Sequence, residues 1–406
     1  MNSFVIIGGG KSQIPFIKAA KKLAYNTVVF DQNPDAQGAV LADIFHTVST
    51  HDYESIAAIC AQLNSKTKLQ GIITYSAFGK PLITVARLCC KYGLPSFSEA
   101  AAELALDKRQ MKKKFAESKL PIPESIITGN LAAAEEFIDG QALPFIVKPG
   151  ADTRGSSGVS LLQDIIGLPE VFRQAADLSS NDSVIIEKYY EAREFSVDGI
   201  VQAGWPTILA VSEKFNLGFQ ENFIMSGFAT GRVPKQDHLL KEYIYPLRET
   251  ALQAVKSLGI DNSFFSVDLL LTKTGPLLLE AGIMLDAKID RLLHFADIDV
   301  YEMFCRIAAG KLFTPPAQTF SKGFALSFMF ARQEGILNIF SDDTSLKSIS
   351  ADQRYLIEWE TKDGAKVKLP ESIADNIGWI ITEGEDVNQA YANAVIISQK
   401  PFFKIS

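Results

Sequence analysis

The chain has 406 residues, of which 47% are hydrophobic, and a formal charge of −7, so it can bury a large core spread over two or three domains. No basic face dominates, which argues against a nucleic-acid or anionic-membrane partner, and Lys112-Lys113-Lys114 reads as a solvated helix face. Four cysteines without metal-ligand spacing, no apolar run of membrane-spanning length and a start that enters a strand directly point to a soluble protein of the reducing cytoplasm.

Residues 4–7 form a buried-type strand that ends in Gly8-Gly9-Gly10. A helix to about Leu23 and a second strand, Thr27 to Asp31, follow. Gln70 to Thr74 is a further strand, and Pro81 to Tyr92 a helix closed by Gly93. Strands alternating with helices imply parallel βαβ units, so residues 1–97 read as a doubly wound domain. The Gly-rich turn with Asp31 partly imitates a dinucleotide fingerprint. Gln13 stands where close helix–strand packing wants a third glycine, however, so a nicotinamide or flavin is not expected. A helix capped by Asp107 runs to Ser118 and stops before Pro121-Ile122-Pro123. Strands dominate from 144 to 232, a helix spans roughly 237–258 and another lies near 287–296. After Pro315-Pro316 short strands and turns read as a small α+β domain over 316–406.

Between those last two helices, Val267 to Leu271 and Pro276 to Glu280 flank the turn-forming Thr272-Lys273-Thr274-Gly275 and read as a β-hairpin. With the turn centred near Thr274, Asp268 and Glu280 face each other across the ladder, Cβ atoms roughly 5 Å apart. Two carboxylates held so close repel unless a cation lies between them. An all-oxygen site suits Mg²⁺, which commonly combines one or two carboxylates with substrate phosphates.

Other segments carry charge where a nucleotide needs it. Lys108 lies in the first turn of its helix, mildly unfavourable with the helix dipole unless an anion binds there. Lys148 leaves an apolar strand just before Pro149-Gly150. The loop that follows includes Gly155-Ser156-Ser157-Gly158, whose small residues allow backbone N–H groups to wrap phosphate oxygens. Glu187-Lys188-Tyr189-Tyr190 combines a carboxylate with exposed main chain and aromatic walls for an adenine edge. Glu194 is placed to reach ribose hydroxyls, and Lys214 offers a third positive group for phosphate.

That order of residues resembles the ATP-grasp superfamily along essentially the whole chain, with the carboxylate–amine ligases as the most similar group, L-amino-acid ligases and the carbamoyl-phosphate-synthase large chain among them. The resemblance implies an N-terminal doubly wound α/β domain, a two-lobed ATP-grasp domain over 98–315 and a small C-terminal α+β domain. It implies Lys108, Lys148, the Gly155–Gly158 loop, Glu187 to Tyr190 and Glu194 around ATP, and Asp268 with Glu280 on Mg²⁺, or Mn²⁺. The expected reaction joins a small carboxylate and an amine, amino acids among them, through an acyl phosphate, releasing ADP and phosphate; a homodimer is allowed. Rival readings are a bicarbonate-dependent carboxylase and a nucleotide binder without catalysis. Two departures stand out: the family often writes Glu-x-Asn-x-Arg where this chain has Gly282 and Met284. With Lys214 as one catalytic cation, Lys288 and Arg291 are the candidates to replace the missing arginine. Three apart on the helix after Glu280, they are expected to share a face, and Arg291 is favoured for its planar fork.

Overall fold

The computed structural model describes residues 2–76, 79–150, 158–217, 223–316, 320–340, 347–350 and 353–406. Its first sheet is built from β1 (Ser3–Ile7), β2 (Asn26–Asp31), β3 (Ile44–Thr47) and β4 (Leu69–Thr74), all parallel, in the order β3-β2-β1-β4. All five side chains of β1 are buried, as parallel strands covered on both faces require. The turn after β1 is closed from within: Gly9 N–H donates to Asp31 Oδ2 at 2.7 Å, and Gln13 Nε2 donates to the Tyr75 carbonyl at 3.0 Å. Asp31 thus holds the turn itself.

The next strands are β5 (Ser125–Thr128), β6 (Phe145–Pro149), β7 (Ser160–Leu162) and β8 (Val184–Lys188), an antiparallel sheet ordered β5-β8-β6-β7. Strands do not dominate this stretch alone, because the helix Leu168–Leu178 lies between β7 and β8. It buries Leu168, Phe172 and Ala175, spaced four and three residues apart, on one stripe.

Then come β9 (Arg193–Gln202), β10 (Trp205–Asn216), β11 (Met225–Gly231), β12 (Ser263–Thr272) and β13 (Gly275–Gly282). They are followed by β14 (Gly323–Met329), β15 (Gly335–Ile339), β16 (Lys347–Ser350), β17 (Gln353–Trp359), β18 (Lys366–Val367), β19 (Gly378–Gly384) and β20 (Phe403–Ile405). Nine of these twelve form one sheet, β13-β12-β9-β10-β11-β14-β19-β17-β16. It passes without a break across residue 316, because β11 and β14 pair antiparallel from Gly227↔Ser327 to Gly231↔Gly323. A Cβ on Gly227 would meet the Leu326 carbonyl oxygen at 2.2 Å, so this seam needs glycine. The C-terminal part also carries a helix, Val387–Ser398, that packs Ala390 and Ala394 into the core.

The helix His238–Leu258 packs Leu247, Ala251, Ala254 and Leu258 into the same core as Leu269, Leu271 and Leu278 of the β12–β13 hairpin. Burying each of these leucines is worth about 1.5–3 kcal/mol, so the hairpin is held rigidly from behind. Cys60, Cys89 and Cys305 are buried free thiols, whereas Cys90 is exposed. Among the described residues no helix is long and apolar enough to cross a membrane.

The helix Lys108–Glu117 starts as expected: Asp107 accepts from the N–H groups of Arg109 at 2.9 Å and Gln110 at 3.1 Å. Asp107→Ala should lower unfolding stability by about 1 kcal/mol in denaturant titration. Wild-type stability in that variant would show that the cap does not hold this helix.

Candidate nucleotide and metal site

Asp268 and Glu280 are direct partners in the ladder between β12 and β13, reached by a route the sequence does not spell out. The turn is tighter than expected, with Thr272 paired to Gly275 around Lys273-Thr274, and Gly275 at φ +124°. A register shift between Asp268 and Leu269 makes up the difference, because Leu269 pairs with Leu278 and leaves Leu279 as the extra residue. Without that β-bulge Asp268 would stand opposite Leu279, and Glu280 would be out of line.

These carboxylates fit a divalent ion. Asp268 Oδ1 is buried and has no hydrogen-bond partner, an arrangement that costs free energy unless a cation completes it. Among the described residues no group of three or more His, Cys, Asp or Glu is arranged to hold a metal by itself. The donor set is therefore of the kind that shares Mg²⁺ with phosphate oxygens and water.

One helix connects this hairpin to the other sheet. Lys108 Nζ lies 3.1 Å from Glu280 Oε2 and holds that carboxyl well below its usual range. Lys112, four residues on and so on the same face, forms an ion pair with Glu187 of β8. This corrects the expectation of a solvated lysine cluster: Lys112 is 4% exposed, while Lys113 faces solvent. The four-residue step from Lys108 was the signal in the sequence that could have found it. Lys148, on the face of β6 opposite Phe145 and Val147, reaches the same carboxylate at 2.7 Å. Burial works to raise the Glu187 carboxyl, but the charges of Lys148 and Lys112 prevail and hold it at about 2. Glu187 is thus gripped by two ammonium groups rather than left facing outward for an adenine edge.

Lys214, on β10, makes the second charged knot. Its Nζ lies 2.7 Å from Asp268 Oδ2, 2.9 Å from Asp286 Oδ2 and 3.4 Å from Glu194 Oε1. Glu194 joins this knot because it lies directly opposite Lys214 in the β9–β10 ladder. Burial opposes the Lys214 charge, yet the three carboxylates hold the proton on it firmly. Behind the knot is Asp198, fully buried, which accepts from Asp286 N–H at 2.8 Å and from Ser196 Oγ at 2.7 Å. Neither Asp198 nor Asp286 was expected at the site; their neighbours in sequence give no pattern that marks them.

Of the adenine-edge segment, Lys188 N–H donates to the Glu124 carbonyl and Tyr189 N–H to that of Pro144, while Lys188, Tyr189 and Tyr190 are all half-buried. Gly155, Ser156 and Ser157 lie outside the described residues. Gly158 is described, at φ +73°. Lys288 and Arg291 do not share a helix face. The helix is Ile289–Phe295, and Lys288 precedes it at φ +65°, its Nζ 2.6 Å from Glu360 Oε1. The left-handed residue ends the loop after β13 and turns the lysine toward β17. Arg291 lies over the Tyr301 ring, 5.8 Å from its centroid, and 3.6 Å from Asp290 Oδ2. Met284, in the place of the family's arginine, is buried. A separate cavity of about 710 Å³ opens beside Lys80, Arg87 and Asp107, and none of the expected site residues lines it.

Comparison with known proteins agrees with this frame. The family model of the ATP-grasp domain matches residues 105–281, so this part of the chain is an ATP-grasp domain, with the paired lysines and the carboxylate hairpin inside it. Over its full length the chain has the fold of ATP-grasp proteins. It is 23% identical over 185 residues to the carbamoyl phosphate synthase large chain of Clostridium acetobutylicum, covering 45% of this chain and 17% of that one. It is 27% identical over 147 residues to D-alanine–D-alanine ligase of Ralstonia pickettii, covering 34% of this chain and 43% of that enzyme. The chain thus spans less than half the length of these curated relatives. The crystal structure of L-amino acid ligase from Bacillus licheniformis superposes with a TM-score of 0.78 at 16% identity, covering 100% of this chain and 98% of that one.

Burial, and then the charge of Asp286, push the Asp198 carboxyl up to about 7. A raised folded value gives stability that is present below the unfolded value of 3.8 and is lost as pH rises through about 7. Asp198→Asn keeps the shape and removes the titration. Its stability should therefore rise relative to wild type between pH 4 and 8, read as the difference in denaturant midpoints. A constant difference across that range would show that Asp198 is ionised throughout.

Proposed function

We propose that the protein is an ATP-dependent carboxylate–amine ligase that makes an amide or peptide bond through an acyl phosphate. The observation that carries this reading is the placement of three lysines and two facing carboxylates on one set of elements. Lys108 and Lys148 lie against Glu280 and Glu187, and Lys214 against Asp268. Phosphoryl transfer needs little covalent help from a protein; it needs positioning and charge neutralisation, which these groups supply.

In this reading Lys108 and Lys148 bind the nucleotide phosphates and Tyr189 and Tyr190 flank the base. Glu194 reaches the ribose, and Asp268 with Glu280 would hold Mg²⁺, which would supply charge neutralisation at the phosphates. A carboxylate oxygen of the acid attacks the γ-phosphorus, and the bond to the β–γ bridging oxygen breaks to release ADP. The amine nitrogen then attacks the acyl carbon, phosphate leaves with the bonding pair, and the surplus proton passes to solvent. Lys214 neutralises the phosphoryl oxygens from β10. Arg291, stacked on Tyr301, is the candidate to hold the acid, while Lys288, tied to Glu360, positions the loop after β13. Amino acids are the substrate class to test first, since two of the proteins it resembles are named for joining them.

Replacing Lys108 by Ala should weaken ATP binding about tenfold, because a charge-assisted contact to phosphate is worth roughly 1.5–3 kcal/mol. Calorimetry with unchanged affinity would remove Lys108 from the nucleotide site. With pairs of amino acids and small carboxylates, ATP should yield ADP and phosphate, and hydroxylamine should trap the activated acid as a hydroxamate. AMP and pyrophosphate would mean adenylation and end the proposed mechanism. Phosphate release that depends on bicarbonate would favour a carboxylase, and nucleotide binding without turnover on any pair a silent binder.

A further inference from the structure

We infer that this site works with a single divalent ion, and that the Lys214 ammonium stands where a second one would lie. The inference rests on the ATP- and Mg²⁺-dependent reading above.

Three carboxylates from three different segments converge on Lys214 Nζ: Asp268 of β12 at 2.7 Å, Asp286 of the loop after β13 at 2.9 Å and Glu194 of β9 at 3.4 Å. Oxygens gathered from separate strands and a loop around one point attract positive charge, whether an ammonium or an ion. Here the point is occupied by a nitrogen on a covalent tether, and the side chain is only 9% exposed. The main chain at Asp286 is anchored, because its N–H is bound to buried Asp198, which Ser196 holds in turn. Asp268 presents its two oxygens unequally: Oδ2 is engaged by Lys214, and Oδ1 is buried with no partner. One oxygen therefore serves the ammonium and one is left for a metal shared with Glu280.

Beyond Glu280, β13 adds no further side-chain oxygen for a second ion. Glu280 and the residue two further along point to the same face of β13, and that residue is Gly282. Lack of room is not the reason. A Cβ at Gly282 would have Ser266 Oγ at 3.4 Å as its nearest neighbour, an ordinary contact, and its backbone lies outside the left-handed region. A second divalent ion would thus find no ligand on β13 beyond Glu280 and would meet the ammonium's charge on the other side. The fixed cation does not exchange with solvent, so only one ion has to be captured with each nucleotide.

The test counts Mn²⁺ bound per chain, by electron paramagnetic resonance and equilibrium dialysis, with a non-hydrolysable ATP analogue at saturation. Wild type should bind one. Lys214→Met removes the charge at similar length and should bind two. Gly282→Asn adds an oxygen but leaves the ammonium, and should still bind one, a result that does not depend on the methionine variant folding. Two ions in wild type, or one in a folded Lys214→Met that still binds the analogue, would overturn the inference. Two ions in Gly282→Asn would show that the missing oxygen, and not Lys214, sets the count, and would overturn it as well. No analogue-dependent Mn²⁺ in any of the three would overturn the proposed function itself, and this inference with it.

Discussion

A charge taken out of water is tolerated only beside its opposite, and the site is organised around that constraint. Glu187 lies between Lys112 and Lys148, and Lys214 lies among Asp268, Asp286 and Glu194. The two knots differ in balance. Around Glu187 there are two positive charges for one negative, which leaves a net attraction for an anion. Around Lys214 there are three negative charges for one positive, which leaves a net attraction for a cation. An anionic phosphate chain and a divalent ion have opposite needs, and in the proposed function the two knots would meet them from different strands.

Geometry follows from that balance. The helix Lys108–Glu117 places one lysine on Glu280 of the large sheet and another, four residues later, on Glu187 of the smaller one. A single helix face therefore sets the distance between the elements that would hold phosphate and metal. Its cap at Asp107 and the buried side chains of Met111 and Phe115 hold that face in place. A change in the helix's position would disturb the Glu187 knot and the Glu280 end of the hairpin at once.

The hairpin shows how little a sheet needs in order to specify chemistry. Asp268 and Glu280 are brought opposite by one extra residue, Leu279, in an otherwise regular ladder. The same large sheet runs on through β14, β19, β17 and β16, so strands from the C-terminal part lie on the framework that carries the carboxylates. Glu360, just past the end of β17, ties to both Lys288 and Lys11. The loop after the β12–β13 hairpin, the Gly-rich turn and the C-terminal strands thus share one carboxylate.

What the sequence determined by itself was local. Two short apolar runs and the turn residues between them marked the hairpin, Asp107 marked a helix start, and the Gly8–Gly10 turn marked the first parallel unit, because each depends on neighbours within a few residues. The chain order of Lys108, Lys148, Glu187, Lys214, Asp268 and Glu280 was also readable. Their pairing was not. Which lysine meets which carboxylate depends on contacts spanning tens of residues or more: Lys112 with Glu187, Lys214 with Asp268, Lys288 with Glu360. Nothing in the run of three lysines shows that Lys112 turns inward, except the four-residue step from Lys108. Nothing beside Asp198 or Asp286 marks either, since a buried carboxylate is recognisable only once the groups that bury it are in place. Tertiary structure decided those partners because charge pairing is set by distance in space, and distance in space is fixed by how the sheets pack.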